Sequence, residues 1–491
     1  MRREIVMKRS IAMILLACGC ISMLALTVSA RESGSVSDVY EINEYQYIIK
    51  DDGTAEIYAY TGGNENLTIA DNLDGYTVTS IGEGAFYGCR VETVNIPDTI
   101  ISIADNAFDS CIWLEEIYFP ESISYIGNSP FRNCTDITKI DVSPDHPYLS
   151  VYEGVLFSKP DKRLICCPSE LKKQSYTIPK GIIEIGDYAF YDCDELEDIS
   201  IPNTVTSIGD YAFYYCSDLD SVVLPNTVTN IGDFAFFGCD DIDTINIPDA
   251  LEYLGENPFD TELESVELSN NHNLLILEND ILFFMSEKRL VHSFAWNAEH
   301  YNIPEGIESI DAYAFAGHED LEYISFPNSL KNIGDYVFWS CYSLGSITIP
   351  ESVTNIGEGA FDYCSNLEKI VLPSNISEIQ EMTFSNCRNL QTIFLPEGIT
   401  KIGDSAFKWC EMLNNISLPP NITTIGEDAF YACESLETLE LPETVEFIGE
   451  YAFTGCDALV LTVTKDSYAA LYCQINSLDF TYPGSMDWLN E

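Results

Sequence analysis

Residues 204–249 carry one hydrophobic pattern twice: "TVTSIGDYAFYYCSDLDSVVLPN" and then "TVTNIGDFAFFGCDDIDTINIPD". In each unit the apolar positions fall into three groups. Leu219, Val222 and Leu224 have the spacing of a short strand with alternate residues inward, and Pro225, which lacks an N–H, closes it. Val228 and Ile231 face inward on the return path. Phe236 and Cys239, three apart, share one side of "DFAFFGC", which reads as a single helical turn. Gly232 permits a sharp turn before it. Asp233 starts that turn, where a carboxylate meets unpaired N–H groups.

The unit recurs far beyond these two copies. A Phe stands in the same frame at 86, 108, 131, 190, 213, 236, 259, 315, 338, 361, 384, 407, 430 and 453. Of the thirteen steps, eleven are 22 or 23 residues and two are 59 and 56. Repetition at this period predicts a solenoid, in which each coil buries its apolar face only against its neighbours. The expected fold is β-rich: a right-handed coil of about fourteen 23-residue repeats, with a parallel sheet on one face and short helical turns on the other.

The two long steps predict insertions, near 143–178 and 269–303. Each follows a Pro-Phe pair, carries an apolar cluster with a basic doublet ("VLFSKPDKRL", "ILFFMSEKRL") and returns through Y-x-I-P-x-G-I. Both read as β-hairpins protruding from the coil, in the space of one enlarged turn. The second is richer in aromatics (Phe283, Phe284, Phe294, Trp296), which either fill that turn or form a contact site. The alternation around Asp52-Gly53 predicts a hairpin over 45–63, capping the first coil within a linker region 31–80. The solenoid proper spans 81–463. Residues 464–491 form the other cap, with a short helix and a strand in 467–483.

The start reads as an export signal, residues 1–30: Arg2, Arg3, Lys8 and Arg9, an apolar run over 11–28, then "VSA" before the cut. Lipidation at Cys18, in "LLAC", and an uncleaved anchor are the competing readings. The formal net charge is −56. Nucleic acid and anionic membrane are thereby excluded as partners by repulsion, whereas basic proteins and divalent cations are allowed. Carboxylates occupy the position three before the repeat Phe in twelve of fourteen copies, and a second acidic column precedes the strand. A solubilising ring explains both; a calcium face is the rival, without a D-x-D-x-D-G loop to support it.

Seventeen cysteines in an exported chain would ordinarily mean disulfides. Twelve of them, however, fall three residues after the repeat Phe. His318 and Glu262 take that slot in two copies. Equivalent positions in stacked coils lie about 4.8 Å apart with parallel Cβ vectors, which suits a disulfide poorly. The expectation is a column of buried, reduced thiols acting as small apolar residues.

The sentence I-P-x-x-V-x-x-I-G-[DE]-x-A-F-x-x-C-x-x-L-x-x-I-x-[LI]-P resembles the BspA-type (treponemal) leucine-rich repeats of bacterial surface and secreted proteins, from about Ile81 to Val463. The resemblance implies a curved solenoid, secreted or on the cell surface, that binds proteins or other surfaces, often as an adhesin. It brings no catalytic residues.

The residues offer little catalytic chemistry either. There are five histidines, none at the i, i+4 spacing of a zinc helix, and there is no G-x-S-x-G or phosphate loop. Cys166-Cys167 is read as part of a hairpin strand. The expectation is a non-enzyme without cofactor or metal. Its partners are protein or glycan ligands on a host or neighbouring cell. The outward strand positions are mostly small and polar; Tyr118, Tyr323, Val371 and Phe394 stand out as anchors. Lys162, Arg163, Lys172 and Lys173 form a second candidate set, in an insertion with net charge +4 over 154–181. Adhesion to proteins through the curved sheet is the leading function; carbohydrate or mucin binding and a passive surface scaffold are the alternatives.

Overall fold

In the computed structural model, residues 38–260, 263–269 and 272–483 are described. The chain winds into a solenoid of about 18 turns, so the coiled fold expected from the repeat is borne out. The count exceeds fourteen because the turns bearing Asn66–Thr68, Ser175–Thr177, His300–Asn302 and Phe480–Thr481 lack the marker Phe. The leader and Cys18 lie outside the described residues.

Most coils contribute a three- or four-residue strand to a front sheet; the coil after Phe213 pairs only at Ser221, and the last strand, Phe480–Thr481, has two residues. The middle residue of the regular strand points inward: Val94, Ile117 and Ile140 pair in parallel register, and so do Ile370, Ile393 and Ile416. The return path adds a second parallel ladder of two-residue strands, in which Ile185, Ile208, Ile231 and Leu254 follow one another. Between the sheets runs the Phe file. Phe190, Phe213 and Phe236 stack at 5.0 and 5.1 Å with their rings within 6° of parallel, and all fourteen repeat phenylalanines are buried.

The stretch expected to be a helical turn is built differently. In 186–196, Ala189, Tyr191 and Cys193 donate to carbonyls three residues back, at 3.2–3.3 Å. The intervening Tyr188, Phe190 and Asp192 donate instead to Asp210, Ala212 and Tyr214 of the next coil, at 2.7–2.9 Å. Tyr188 (φ 57°) and Asp192 (φ 59°) are left-handed. A helix would return every N–H to its own segment; here a left-handed residue on either side of the Phe breaks the helical path, and every second N–H runs along the solenoid axis. Among the described residues the only helices are Ser169–Leu171 and Tyr468–Asn476. The latter is capped by Ser467, whose Oγ accepts from Ala470 N at 3.1 Å. At the other end, Tyr45–Ile49 and Ala55–Tyr60 pair antiparallel and cover the first coil.

The glycine that precedes most of these acidic residues (Ala104 and Gln380 stand there in two coils) has a different role from the one its turn suggested. A Cβ on Gly232 would lie 2.3 Å from Asp210 Oδ1 and 2.5 Å from Asp210 N, so the coil before it leaves no space for a side chain. The carboxylate likewise reaches across coils. Asp187 accepts from Asp210 N at 3.0 Å, Asp210 from Asp233 N at 2.8 Å, and Asp404 from Glu427 N at 2.7 Å. It therefore caps the next turn and not its own.

The insertions do not protrude. Val155–Ser158 and Ile281–Phe284 are buried along their whole length. Each is the middle strand of an antiparallel trio whose last strand, Arg163–Cys166 or Arg289–Ser293, joins the back ladder in parallel. Because successive side chains point to opposite faces, each trio is a two-sided wall. Leu156 and Ile165 pack into the core before it; Val155, Phe157 and Leu164 pack into the core after it. In the second wall Leu282, Phe284 and Val291 face back and Ile281, Phe283 and Leu290 face forward. Phe283, Phe284 and Phe294 are buried, so the aromatics fill this turn.

At each wall the back ladder is interrupted and an arginine spans the gap. In regular coils the glycine N–H donates to the isoleucine carbonyl of the coil before, as Gly209 does to Ile185 O at 2.8 Å. Ile165 and Val291 stand where regular coils have glycine, and their side chains prevent that approach. Arg163 Nη2 instead donates to Ile126 O and Gly127 O at 2.9 and 3.1 Å, and Nη1 to Asn128 Oδ1. Arg289 Nη2 serves Leu254 O and Gly255 O at 2.5 and 3.4 Å.

The thiol column is present and unbridged: all fifteen described cysteines are free, and the twelve in the repeat slot are buried. They do more than fill space. In ten coils the thiol donates to the carbonyl of the preceding repeat Phe, for example Cys216 Sγ to Phe190 O at 3.1 Å and Cys387 Sγ to Phe361 O at 3.2 Å. That carbonyl already accepts from its own cysteine N–H, so the thiol takes its second lone pair. Cysteine suits the slot as a small side chain that is cheap to desolvate yet still donates. In the slot of His318, Nε2 meets Ser293 Oγ at 2.9 Å; Glu262 lies outside the described residues. Burial pushes the Cys89 thiol up to about 12 and raises Cys364 and Cys387 as well. Cys456, at the last repeat, is lowered instead by its hydrogen bond with Cys433; the other ladder thiols, being buried, are expected to stay unlabelled by an aromatic disulfide reagent in the folded protein and to react fully in guanidinium. Labelling without denaturant would mean that the coils are not closed.

Burial also sets the pH dependence. It pushes Asp362 and Glu381 to about 7 and Asp192 to about 6. A carboxyl raised by folding stabilises below its unfolded value, and that stability is lost as pH rises through 6–7. Burial has the reverse effect on two imidazoles, lowering His292 to about 3 and His318 to about 4. Their contribution is present above about pH 6.5 and is lost below it. Glu308, held at about 2 by Lys288 and Lys331, acts only in stronger acid. Between about pH 4.5 and 6.5 three carboxyls lose stability against two imidazoles that gain it, and above 6.5 only the carboxyl loss is left, so the melting temperature is expected to fall from about pH 5 to pH 8. A midpoint rising steadily to pH 8 would contradict this balance.

Candidate binding surface

The front sheet presents two outward files, one on each side of the inward residue. Most positions are small or polar, such as Thr93, Asn95, Ser346 and Thr348. Large exposed side chains are Tyr118 (45 %), Tyr323 (49 %), Val371 (43 %) and Phe394 (69 %). Sheet register decides which of them meet. Ile370 pairs with Ile393, so Val371 and Phe394 occupy one file in adjacent coils. Phe394 is followed by Ser417 and Val371 preceded by Thr348, so the apolar step has polar ends.

Tyr323 lies in the other file. Its ring meets that of His300 edge-on at 6.3 Å. Tyr118 is eleven turns before Phe394, on the order of 50 Å away at strand spacing, and belongs to no common site with it. Val223, 74 % exposed, is a further outward apolar residue, which the same period-two position places on this face.

The basic set separates under burial. Arg163 is 6 % exposed and bonded to backbone, so it presents no charge to a ligand. This corrects its placement among surface contacts: the doublet's second member faces inward because strand alternation puts it there. Lys162 is exposed, in the turn before it. Lys172 lies 3.5 and 3.8 Å from Glu170 and Glu195, and Lys173 lies 3.3 Å from Glu153 and over the Tyr176 ring at 5.5 Å. The insertion's positive balance is cancelled locally by the acidic coils around it.

One group of potential metal donors is formed among the described residues. Ligand atoms of Glu299, His300 and Glu322 lie within 4.8 Å of one another, all exposed. The coil spacing explains it, since Glu322 stacks over Glu299 in the acidic column. No helix of the described residues is long and apolar enough to cross a membrane.

Aromatic ladders on the turn side were not anticipated. Tyr188, Tyr211 and Phe234 stack at 4.7 and 5.1 Å, and Tyr191, Tyr214 and Phe237 at 5.4 and 5.5 Å. They hold the positions two before and one after the repeat Phe. The 23-residue frame would have exposed them had those columns been read as the Phe column was.

Sequence comparison agrees with this geometry. The BspA type leucine rich repeat region matches residues 55–164, 165–282, 292–414 and 377–476. Among curated proteins, none matches the chain. Similar solved structures include a leucine rich cell surface protein from Faecalibacterium prausnitzii. It is 24 % identical, over 91 % of this chain and 99 % of that one, at TM-score 0.36. A leucine-rich repeat protein from Eubacterium ventriosum is 20 % identical, over 86 % and 95 %, at TM-score 0.44. The pneumococcal vaccine antigen PcpA is 16 % identical, over 91 % and 99 %, at TM-score 0.34. The chain thus belongs to the BspA-type leucine-rich repeat family.

Proposed function

We propose that the protein is an exported or surface-held binding module that adheres to host or matrix proteins through the outward file of its front sheet. The observation that carries this reading is the Val371–Phe394 step. Two exposed apolar side chains sit one coil apart on backbone whose inward neighbours, Ile370 and Ile393, are 1 % and 0 % exposed. Such a step is rigid, so a partner loses little ordering entropy on the module's side. Binding energy concentrates in a few large anchors with polar surroundings, and this file has that composition. The acidic surface favours basic partner surfaces and speeds their approach at low salt.

The test is binding to a panel of immobilised extracellular-matrix proteins. For any ligand captured by the native protein, Phe394→Ala is expected to weaken binding at least about tenfold, with a smaller loss for Val371→Ala. Tyr118→Ala, on remote coils, is expected to leave it unchanged. Retention of full affinity in the Phe394 variant would reject this face as the contact.

A further inference from the structure

A second surface, on the opposite side of the coil, carries chemistry that the front sheet does not. Near the C-terminal end three successive turns form an open cleft of about 580 Å³, lined by Lys408, Trp409, Asp428, Tyr431, Tyr451 and Thr454. Lys408 and Trp409 follow Phe407, Asp428 and Tyr431 flank Phe430, and Tyr451 and Thr454 flank Phe453. We propose that this cleft is a saccharide subsite that takes a neutral pyranose unit of a glycan.

Three observations support the assignment. First, the aromatic groups are arranged as walls. Trp409 is 36 % and Tyr451 58 % exposed, and the Trp409 and Tyr431 rings meet at 63° with centroids 5.6 Å apart. A pyranose has an apolar C–H face that packs on the negative face of an aromatic ring, while its rim of hydroxyls stays polar. Second, the polar pair between these walls offers both hydrogen-bonding senses. Lys408 Nζ donates to Asp428 Oδ2 at 2.7 Å and stands 5.3 Å over the Tyr431 ring. Adjacent sugar hydroxyls can accept from the ammonium and donate to the carboxylate, and such charge-assisted bonds are the strong ones.

Third, tryptophan is a poor structural choice at its position. Trp409 has φ 61°. Its slot, two after the repeat Phe, is left-handed in every described coil; of the other twelve, nine hold Gly, Ser, Asn or Asp, and Tyr215, Tyr363 and Ala432 hold the rest. A bulky side chain is disfavoured in that conformation, and this one is not in the core.

The same backbone argues against a peptide occupant. Trp409 N donates to Tyr431 O at 2.8 Å, Tyr431 N to Asp428 O at 2.9 Å, Ala432 N to Thr454 O at 2.7 Å and Thr454 N to Tyr451 O at 2.9 Å. These main-chain donors are therefore already engaged, and strand addition has nothing to pair with here. The net charge of −56 opposes sialylated and sulfated glycans, which leaves neutral ones.

The experiment is titration of the whole protein with cellotriose, maltotriose, mannotriose and chitotriose, followed by tryptophan fluorescence and saturation-transfer NMR. Sialyllactose and a heparin hexasaccharide serve as charged controls. At least one neutral trisaccharide is expected to bind, with affinity lowered at least about tenfold in Trp409→Gly and in Tyr451→Ala. Phe394→Ala is expected to bind it as the native protein does, which separates this site from the front sheet. Glycine suits φ 61°, so Trp409→Gly is expected to melt no lower than the native protein, and lost binding is then not lost folding. The proposal is overturned if no neutral trisaccharide binds, if both variants bind normally, or if the charged sugars bind more tightly.

Discussion

Arg163→Ala is expected to destabilise the protein by about 3–5 kcal/mol and to split its thermal unfolding into two transitions. The guanidinium supplies the direct hydrogen-bonded link between the back ladder before the first wall and the wall strand itself. Removing it orphans the carbonyls of Ile126 and Gly127 in a closed interior, and neither Ile165 nor its neighbours can approach to replace the bond. In a solenoid, stability is the sum of coil terms and nearest-neighbour interfaces. Weakening one interface should therefore let the coils from Tyr45 to Ile140 open before the rest. Calorimetry with hydrogen exchange would register this as early exchange confined to that segment. Lys162→Ala, one residue away but exposed, is the control and should change stability by less than about 0.5 kcal/mol. A single, unshifted transition in the Arg163 variant would mean that the wall is held by apolar packing alone.

Gly232→Ala should have an effect of similar kind at a regular interface. The added carbon would stand 2.3–2.6 Å from Asp210 Oδ1, Asp210 N and Gly209 C, two of which are main-chain atoms that cannot rotate away. The coils must separate locally, loosening the Asp210 cap on Asp233 N and the stack of Phe213 on Phe236. A loss at or above the upper end of the usual overpacking range of about 1–3 kcal/mol is expected. Gly345→Ala provides the contrast, since its added carbon meets nothing within 4 Å. That variant should be neutral or gain up to about 1 kcal/mol through a stiffer unfolded chain. Equal melting temperatures for the two variants would show that coil spacing at Gly232 is not under the constraint described.

Part of the candidate surface was legible before the structure. Period-two alternation alone places Tyr118, Tyr323, Val371 and Phe394 outward, and their exposure agrees. That Val371 and Phe394 adjoin was legible as well, since they stand one 23-residue period apart; how far Tyr118 lies from them was not, because two turns without a marker Phe intervene. The same limit explains Arg163. A basic doublet in a loop reads as solvated unless strand register within the insertion is known.

The 23-residue period and the identity of its recurring residues settled, from sequence, that successive coils stack in register over a file of Phe and free Cys. Equivalent side chains one strand spacing apart allow little else: the rings stack and the thiols cannot bridge. Only the tertiary structure decided how polar backbone is satisfied between coils. It showed thiols bonded to carbonyls, carboxylates capping the next turn, left-handed residues turning N–H groups along the axis, and arginines spanning the two walls. Those bonds join atoms 20 or more residues apart, and local sequence preference carries no record of a partner that only coiling brings near.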